Sequence, residues 1–129
     1  MKIKNLSAIL ATATVFAGMV FAHHSFSAEF DQNKPVKLSG KVTGMKWANP
    51  HAWIYIDVES EGKVVNWALE TGAANSLTRR GWKKEDLPVG TVLKIEGWAA
   101  RNGAPTANVG SVTLSDGRRL FSNATPPKE

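Results

Sequence analysis

The chain has 129 residues, with 16 lysines and arginines against 11 acidic residues, a formal charge of +5, five tryptophans, three histidines and no cysteine. The missing thiols exclude disulfides, thiolate metal sites and cysteine nucleophiles, so apolar burial alone must hold the fold. The mild positive charge lacks the clustered Lys/Arg stripe of a nucleic-acid binder, which argues against nucleic acid as a partner.

Lys2 and Lys4 form a positive end, Ala8 to Phe21 is apolar and rich in small residues, and Val20-x-Ala22 is a small-residue cleavage site. These are the three parts of a Sec-type export signal. A membrane anchor is the competing reading. A spanning helix wants about 20 strongly apolar residues, and this segment is shorter and diluted by Thr12, Thr14 and Gly18. Cleavage after Ala22 is therefore expected, giving a periplasmic or secreted protein with no transmembrane anchor and with His23 as its first residue. Residues 23–129 then suffice for one domain.

Residues 23–35 are polar, carry Phe26 and Phe30, and are expected to form an extended arm with both rings tucked against the domain. Pro35 cannot donate a ladder bond and suits the beginning of a strand. From Val36 to Trp47, apolar residues alternate loosely with polar ones, the period of a half-buried strand. Gly40 and Gly44 interrupt that strand, which marks a bulge or bend. Asn49-Pro50 breaks the chain before a second strand, Ala52 to Val58. Glu59 to Lys63 reads as a hairpin turn leading into a third strand, Val64 to Glu70. Gly72 to Arg80 is the one helical stretch after the signal, with Gly81 as its stop. Thr91 to Trp98 and Thr106 to Leu114 are two further strands, and a tight turn at Asp116-Gly117 leads to Arg118–Phe121. Residues 122–129 read as a loose tail.

The order β-β-β-α-β-β predicts an all-β domain with one short helix over residues 36–121, a small five-stranded barrel like an OB-fold. A plain β-sandwich is the alternative. The motifs His23-His24-Ser25-Phe26, Ala28-Glu29-Phe30-Asp31, Trp47-x-Asn49-Pro50-His51-Ala52-Trp53, Arg79-Arg80-Gly81-Trp82 and Ala107-Asn108 add a likeness. Together they resemble a family of small exported bacterial proteins catalogued as a domain of unknown function. The resemblance implies a small periplasmic β-barrel-like domain and brings no activity, substrate or cofactor.

Three histidines are the first chemical signal. A first-residue His23 can chelate through its α-amine and imidazole, and a second imidazole from His51 or His24 completes a three-nitrogen histidine brace. Such a nitrogen-rich set favours Cu(II), with zinc as second choice. Glu29 or Asp31 could orient an imidazole or add an oxygen. The bland alternative is an exposed His24 and a His51 that merely orders its loop.

The tryptophans are the second signal. Trp53, Tyr55 and Trp67 fall on the strands whose face binds ligands in OB-folds, and Trp82 flanks the expected mouth. They serve equally well as core filling. Arg79 and Arg80 head a basic cluster suited to an anionic group or simply to a solvated helix end. Phosphate loops, nucleophile elbows and paired catalytic carboxylates are missing, so no motif supports catalysis. Two readings follow: a periplasmic copper-binding protein built on His23, or a non-catalytic binding module for an envelope ligand or protein partner.

Overall fold

The computed structural model describes residues 26–122. The expected signal segment, His23, His24 and the tail beyond Ser122 lie outside the described residues. One helical turn, α1 (Phe26–Glu29), runs directly into a long strand, β1 (Phe30–Lys46). The strand therefore begins at Phe30 rather than Val36, and the extended conformation expected before it gives way to helix over α1. A later strand, β4 (Val92–Ala100), holds this early part: Phe30 pairs with Ala100 and Pro35 with Trp98. Pro35 is tolerated there because β1 meets its other neighbour only from Lys41 onward.

That neighbour is β2 (Trp53–Ser60), which turns through Glu61 and Gly62, both at positive φ, into β3 (Lys63–Glu70). Helix α2 (Ala74–Arg79) follows and stops at Gly81, whose φ is 88°. A 3₁₀ turn (Lys84–Asp86) precedes β4, and β5 (Thr106–Thr113) and β6 (Arg119–Phe121) complete the chain of elements. Arg118 bridges Asp86 at 3.0 Å and Asp116 at 2.8 Å, tying the 3₁₀ turn to the β5–β6 connection.

Hydrogen-bonded pairing runs β3-β2-β1-β4-β5-β6, and β3 also pairs with β5. Five strands therefore close a barrel-like ring, all antiparallel except the β3–β5 seam, as expected for an OB-fold-like domain. The glycines expected to bend β1 do so by different means. A register shift falls between Val42 and Gly44. At Gly40, a Cβ would lie 2.5 Å from the Asp57 carbonyl oxygen, so glycine lets β2 approach. Gly97 on β4 has the same role against the backbone of Asn108.

Inside the ring, Val42, Ile54, Ile56, Leu69, Leu93, Ile95, Val109 and Val112 form one buried cluster. Leu77 of α2, Trp82 and Leu87 extend it. Trp82 is 1% exposed and donates its indole N–H to the Phe121 carbonyl at 3.0 Å. Of the two places open to it in sequence, flanking the expected mouth or filling the core, it takes the core, with its one polar atom satisfied.

We expect Trp82→Ala to cost about 3–5 kcal/mol in urea denaturation. Gly97→Ala should cost at least about 1–3 kcal/mol, because the backbone of β5 must move. Arg79→Ala, on the exposed end of α2, should stay within about 0.5 kcal/mol. A Trp82→Ala protein as stable as the parent would overturn this account of the core.

Candidate functional site

Residue parity decides what the outside of the ring presents. In β2, Ile54 and Ile56 point into the core, so Trp53, Tyr55 and Asp57 point out. Directly paired residues share a face. Trp53 therefore shares the outer face with Glu70 of β3, and Glu70 shares it with Asn108 across the parallel seam. Trp98 of β4 pairs with Asn108 and joins the same row.

The loop from Trp47 to Ala52 brings His51 to the end of that row. Its Asn49–Pro50 bond is cis. Backbone bonds then zip the loop to the end of β3: Ala52 N–H donates to Gly72 O at 3.1 Å, and Thr71 N–H donates to Ala52 O at 2.9 Å. The Thr71 hydroxyl adds a bond to Ala52 O at 3.0 Å. On the far side of the loop, Asn49 Oδ1 accepts from the Asn75 N–H at 3.2 Å. His51 is thereby fixed beside β3, with its Nδ1 3.3 Å from Glu70 Oε1 and 3.3 Å from Thr71 O.

A cleft of about 390 Å³ opens here, lined by Phe26, Glu29, Phe30, His51, Glu70, Trp98 and neighbouring amides. Phe26 packs its ring edge-on to Trp98 at 5.6 Å between centroids and against Phe30 at 5.6 Å. One wall is thus aromatic and the other polar. A second cleft of about 300 Å³ shares Glu29, Phe30 and Glu70 and adds Trp53.

Glu70 is the buried charge of the site, its side chain only 11% exposed. Burial pushes its carboxyl above the ordinary value of 4.5, and nearby Glu29 pushes the same way. His51 and a hydrogen bond from the Asn108 side chain pull it back. The Asn108 Oδ1 is buried without a hydrogen-bond partner.

The structure sorts the residues marked out from sequence. His51 and Glu29 meet in the cleft. Asp31 does not: it faces Arg101, with 3.7 Å between Oδ2 and Nη1. Trp53 and Tyr55 are on the outer face, whereas Trp67 pairs with Ile56 and packs against the core. A three-ring face on β2 and β3 therefore does not form, because Trp67 has the opposite parity. Arg79 is exposed at the end of α2, and Arg80 donates to the Ser122 carbonyl. Glu70 and Trp98 were missed. The one available signal for Glu70 was a lone acid closing the apolar run Trp67-Ala68-Leu69. Among the described residues, no group of three His, Cys, Asp or Glu side chains could hold a metal ion unaided.

The chain is thus an OB-fold-like domain carrying a half-aromatic, half-polar cleft on its outer wall. A family profile matches residues 10–109, and the chain belongs to that family, one of unknown function (DUF6152). The matched span includes every residue of the cleft and also His23 and His24. No curated protein and no solved structure matches the chain.

Glu70 and Asp86 are shifted in opposite directions and act on stability in different pH windows. Glu70 is raised, so in the metal-free protein its favourable contribution is complete below the ordinary carboxyl range and is lost as pH rises through its folded-state pKa. Asp86 is lowered by hydrogen bonds from Arg118, so its contribution is present above that range and is lost as pH falls through its folded-state value. We expect the melting temperature of metal-free Glu70→Gln to lack the decline on the neutral side while keeping the acid limb. Identical pH profiles for parent and variant would show that Glu70 carries no burial penalty.

Proposed function

We propose that the protein is an exported, periplasmic metal-binding protein that holds Cu(II) with the α-amine and imidazole of a mature N-terminal His23 and the imidazole of His51. One observation carries this reading: His51 opens onto the same cleft as Phe26, and Phe26 is only three residues after His23. Three steps of about 3.8 Å between Cα atoms bound the separation to roughly 11 Å, so the first residue is tethered within reach of the cleft. His24 lies closer still along the chain and is a further candidate ligand.

The donor chemistry agrees. An α-amine and imidazoles are available as ligands around neutral pH once a metal competes with protons for them. A nitrogen-rich set prefers Cu(II) over other divalent first-row ions, with zinc next. The side chain of His51 is 50% exposed, so a ligand can reach it. Carriage or buffering of the metal is favoured over catalysis, for no motif in the chain supplies a general base set against a substrate face. The alternative, a binding module for an envelope ligand or partner, retains only Trp53 and Tyr55 of its aromatic face, since Trp67 and Trp82 serve the core.

The test uses mature protein exported from cells, so that His23 is the true first residue. Its Cu(II) EPR spectrum and affinity are recorded beside a form with an added N-terminal Met and beside His51→Ala. We expect a nitrogen-rich axial signal in the parent that responds to loss of His51. In the Met-extended form, where His24 becomes the third residue and can chelate with the new amine and the two intervening amides, it should be replaced by a distinct square-planar signal. His51→Ala should weaken binding by more than the roughly 10–100-fold that loss of an outer partner costs. Equal affinity and identical spectra in the parent and His51→Ala would end the metal reading.

A further inference from the structure

His51 has two ring nitrogens, and which of them can face a metal depends on what the other one does. Its Nδ1 sits 3.3 Å from the Thr71 carbonyl oxygen and 3.3 Å from Glu70 Oε1. A carbonyl oxygen only accepts, so the hydrogen bond to Thr71 requires a proton on Nδ1. In the neutral imidazole, Nε2 then carries the lone pair. His51 is tied down on its Nδ1 side and half exposed elsewhere.

Glu70 is built to hold this arrangement. It ends β3, where the strand is paired on both sides, with Trp53 of β2 and with Asn108 of β5. Its carboxyl is nearly buried and is hydrogen-bonded by Asn108 on the side away from the loop. A carboxylate so confined has little freedom to leave His51. Burying it without a functional return is unfavourable, because a carboxyl desolvated at this depth must be partnered to stay charged.

We propose that Glu70 is the positioning residue of the site: with the Thr71 carbonyl it fixes the Nδ1–H form of His51 and leaves Nε2 as the nitrogen that binds the metal. This rests on the metal reading above and adds to it a residue that no motif in the chain marks. A carboxylate accepting from Nδ1–H also makes Nε2 a stronger donor, the effect that outer carboxylates have on metal-bound imidazoles. Glu70 does not touch the metal in this arrangement; it acts through His51.

The experiment has a metal-free arm and a Cu(II) arm, both on mature protein. In the first, NMR of the imidazole nitrogens reads the tautomer of neutral His51 in the parent. The Nδ1–H form is expected, and a predominant Nε2–H form would overturn the proposal whatever copper does. In the second, Cu(II) alone is titrated into the parent, Glu70→Gln and Glu70→Asp. Glu70→Gln, which keeps shape and loses charge, should bind about 10–100-fold more weakly and show an altered EPR spectrum, with Glu70→Asp recovering part of the loss. Equal affinity and identical spectra in parent and Glu70→Gln would overturn the role of Glu70 while the metal reading stands. A parent that takes up no Cu(II) overturns the metal reading itself, and the tautomer then still decides the hydrogen-bond assignment. Glu70→Gln should melt no lower than the parent, which separates the effect from a failure to fold.

Discussion

Closure of the ring depends on the parallel pairing of Ala68–Glu70 with Thr106–Asn108, the one parallel contact in an otherwise antiparallel sheet. The pairing is short, yet it removes the two strand edges that an open sheet would leave beside the cleft. It also sets Glu70 next to Asn108, which no hairpin could do, because the two residues are separated by α2 and all of β4. The β2–β3 hairpin sets Trp53 opposite Glu70, and the β4–β5 pairing sets Trp98 opposite Asn108. The outer row is therefore a consequence of ring register. A slip of one residue at the seam would send Glu70 into the core and Leu69 into solvent.

Charge and apolar surface are balanced within this row. Phe30 is buried at 2% exposure, Phe26 packs on it and Trp98 packs on Phe26, so the wall beside Glu70 keeps water away from the carboxyl. That desolvation raises the free energy of the charged form, and the partners offset it: His51 on one side and Asn108 on the other. A carboxylate held between His51, tied to the Thr71 carbonyl, and Asn108, on a strand paired on both sides, has few conformations left to lose. The loop carrying His51 is similarly restrained, by Thr71, Gly72 and Asn75. Most of the ordering entropy of this half of the cleft is thus met in folding, before any ligand arrives.

What could be read from sequence and what could not differ in kind. The strands, the helix and their order were legible because period-two alternation, glycines and prolines are local signals, and the ring then follows from a small menu of topologies. The start of β1 was not legible, because Pro35 argues against a strand unless it is known that β2 does not reach it. The faces of Trp53 and Trp67 were not legible either. Each lies in a well-marked strand, but whether two strands set their aromatic residues on one side depends on register across the hairpin, and Trp67 pairs with Ile56. Trp82 sits among Arg79, Arg80, Lys83 and Lys84, so its local text is polar while its ring is buried. Glu70 had no motif because its partners, His51 and Asn108, lie far from it in sequence and meet it only through the loop and the seam.

The aromatic wall has a second consequence for the proposed metal site. Phe26 is anchored against Phe30 and Trp98, so the chain leaves the described domain at a fixed point on the rim of the cleft. In the proposed site, an amine and imidazole three residues from that point meet His51 as an intramolecular partner, at an effective concentration on the order of millimolar or higher for so short a tether. In free solution the amine and imidazole of one histidine would still chelate as a pair, but the second imidazole would have to be recruited from bulk. In that proposal the stacking of Phe26 contributes to metal affinity without any contact to the metal. It does so only for a chain that begins at His23, because any residue added before it replaces the primary amine with an amide that is no longer a ligand in its ordinary protonation state. In this reading, export and binding are linked through one peptide bond: the cleavage that releases the protein from its signal also creates the donor that completes the site.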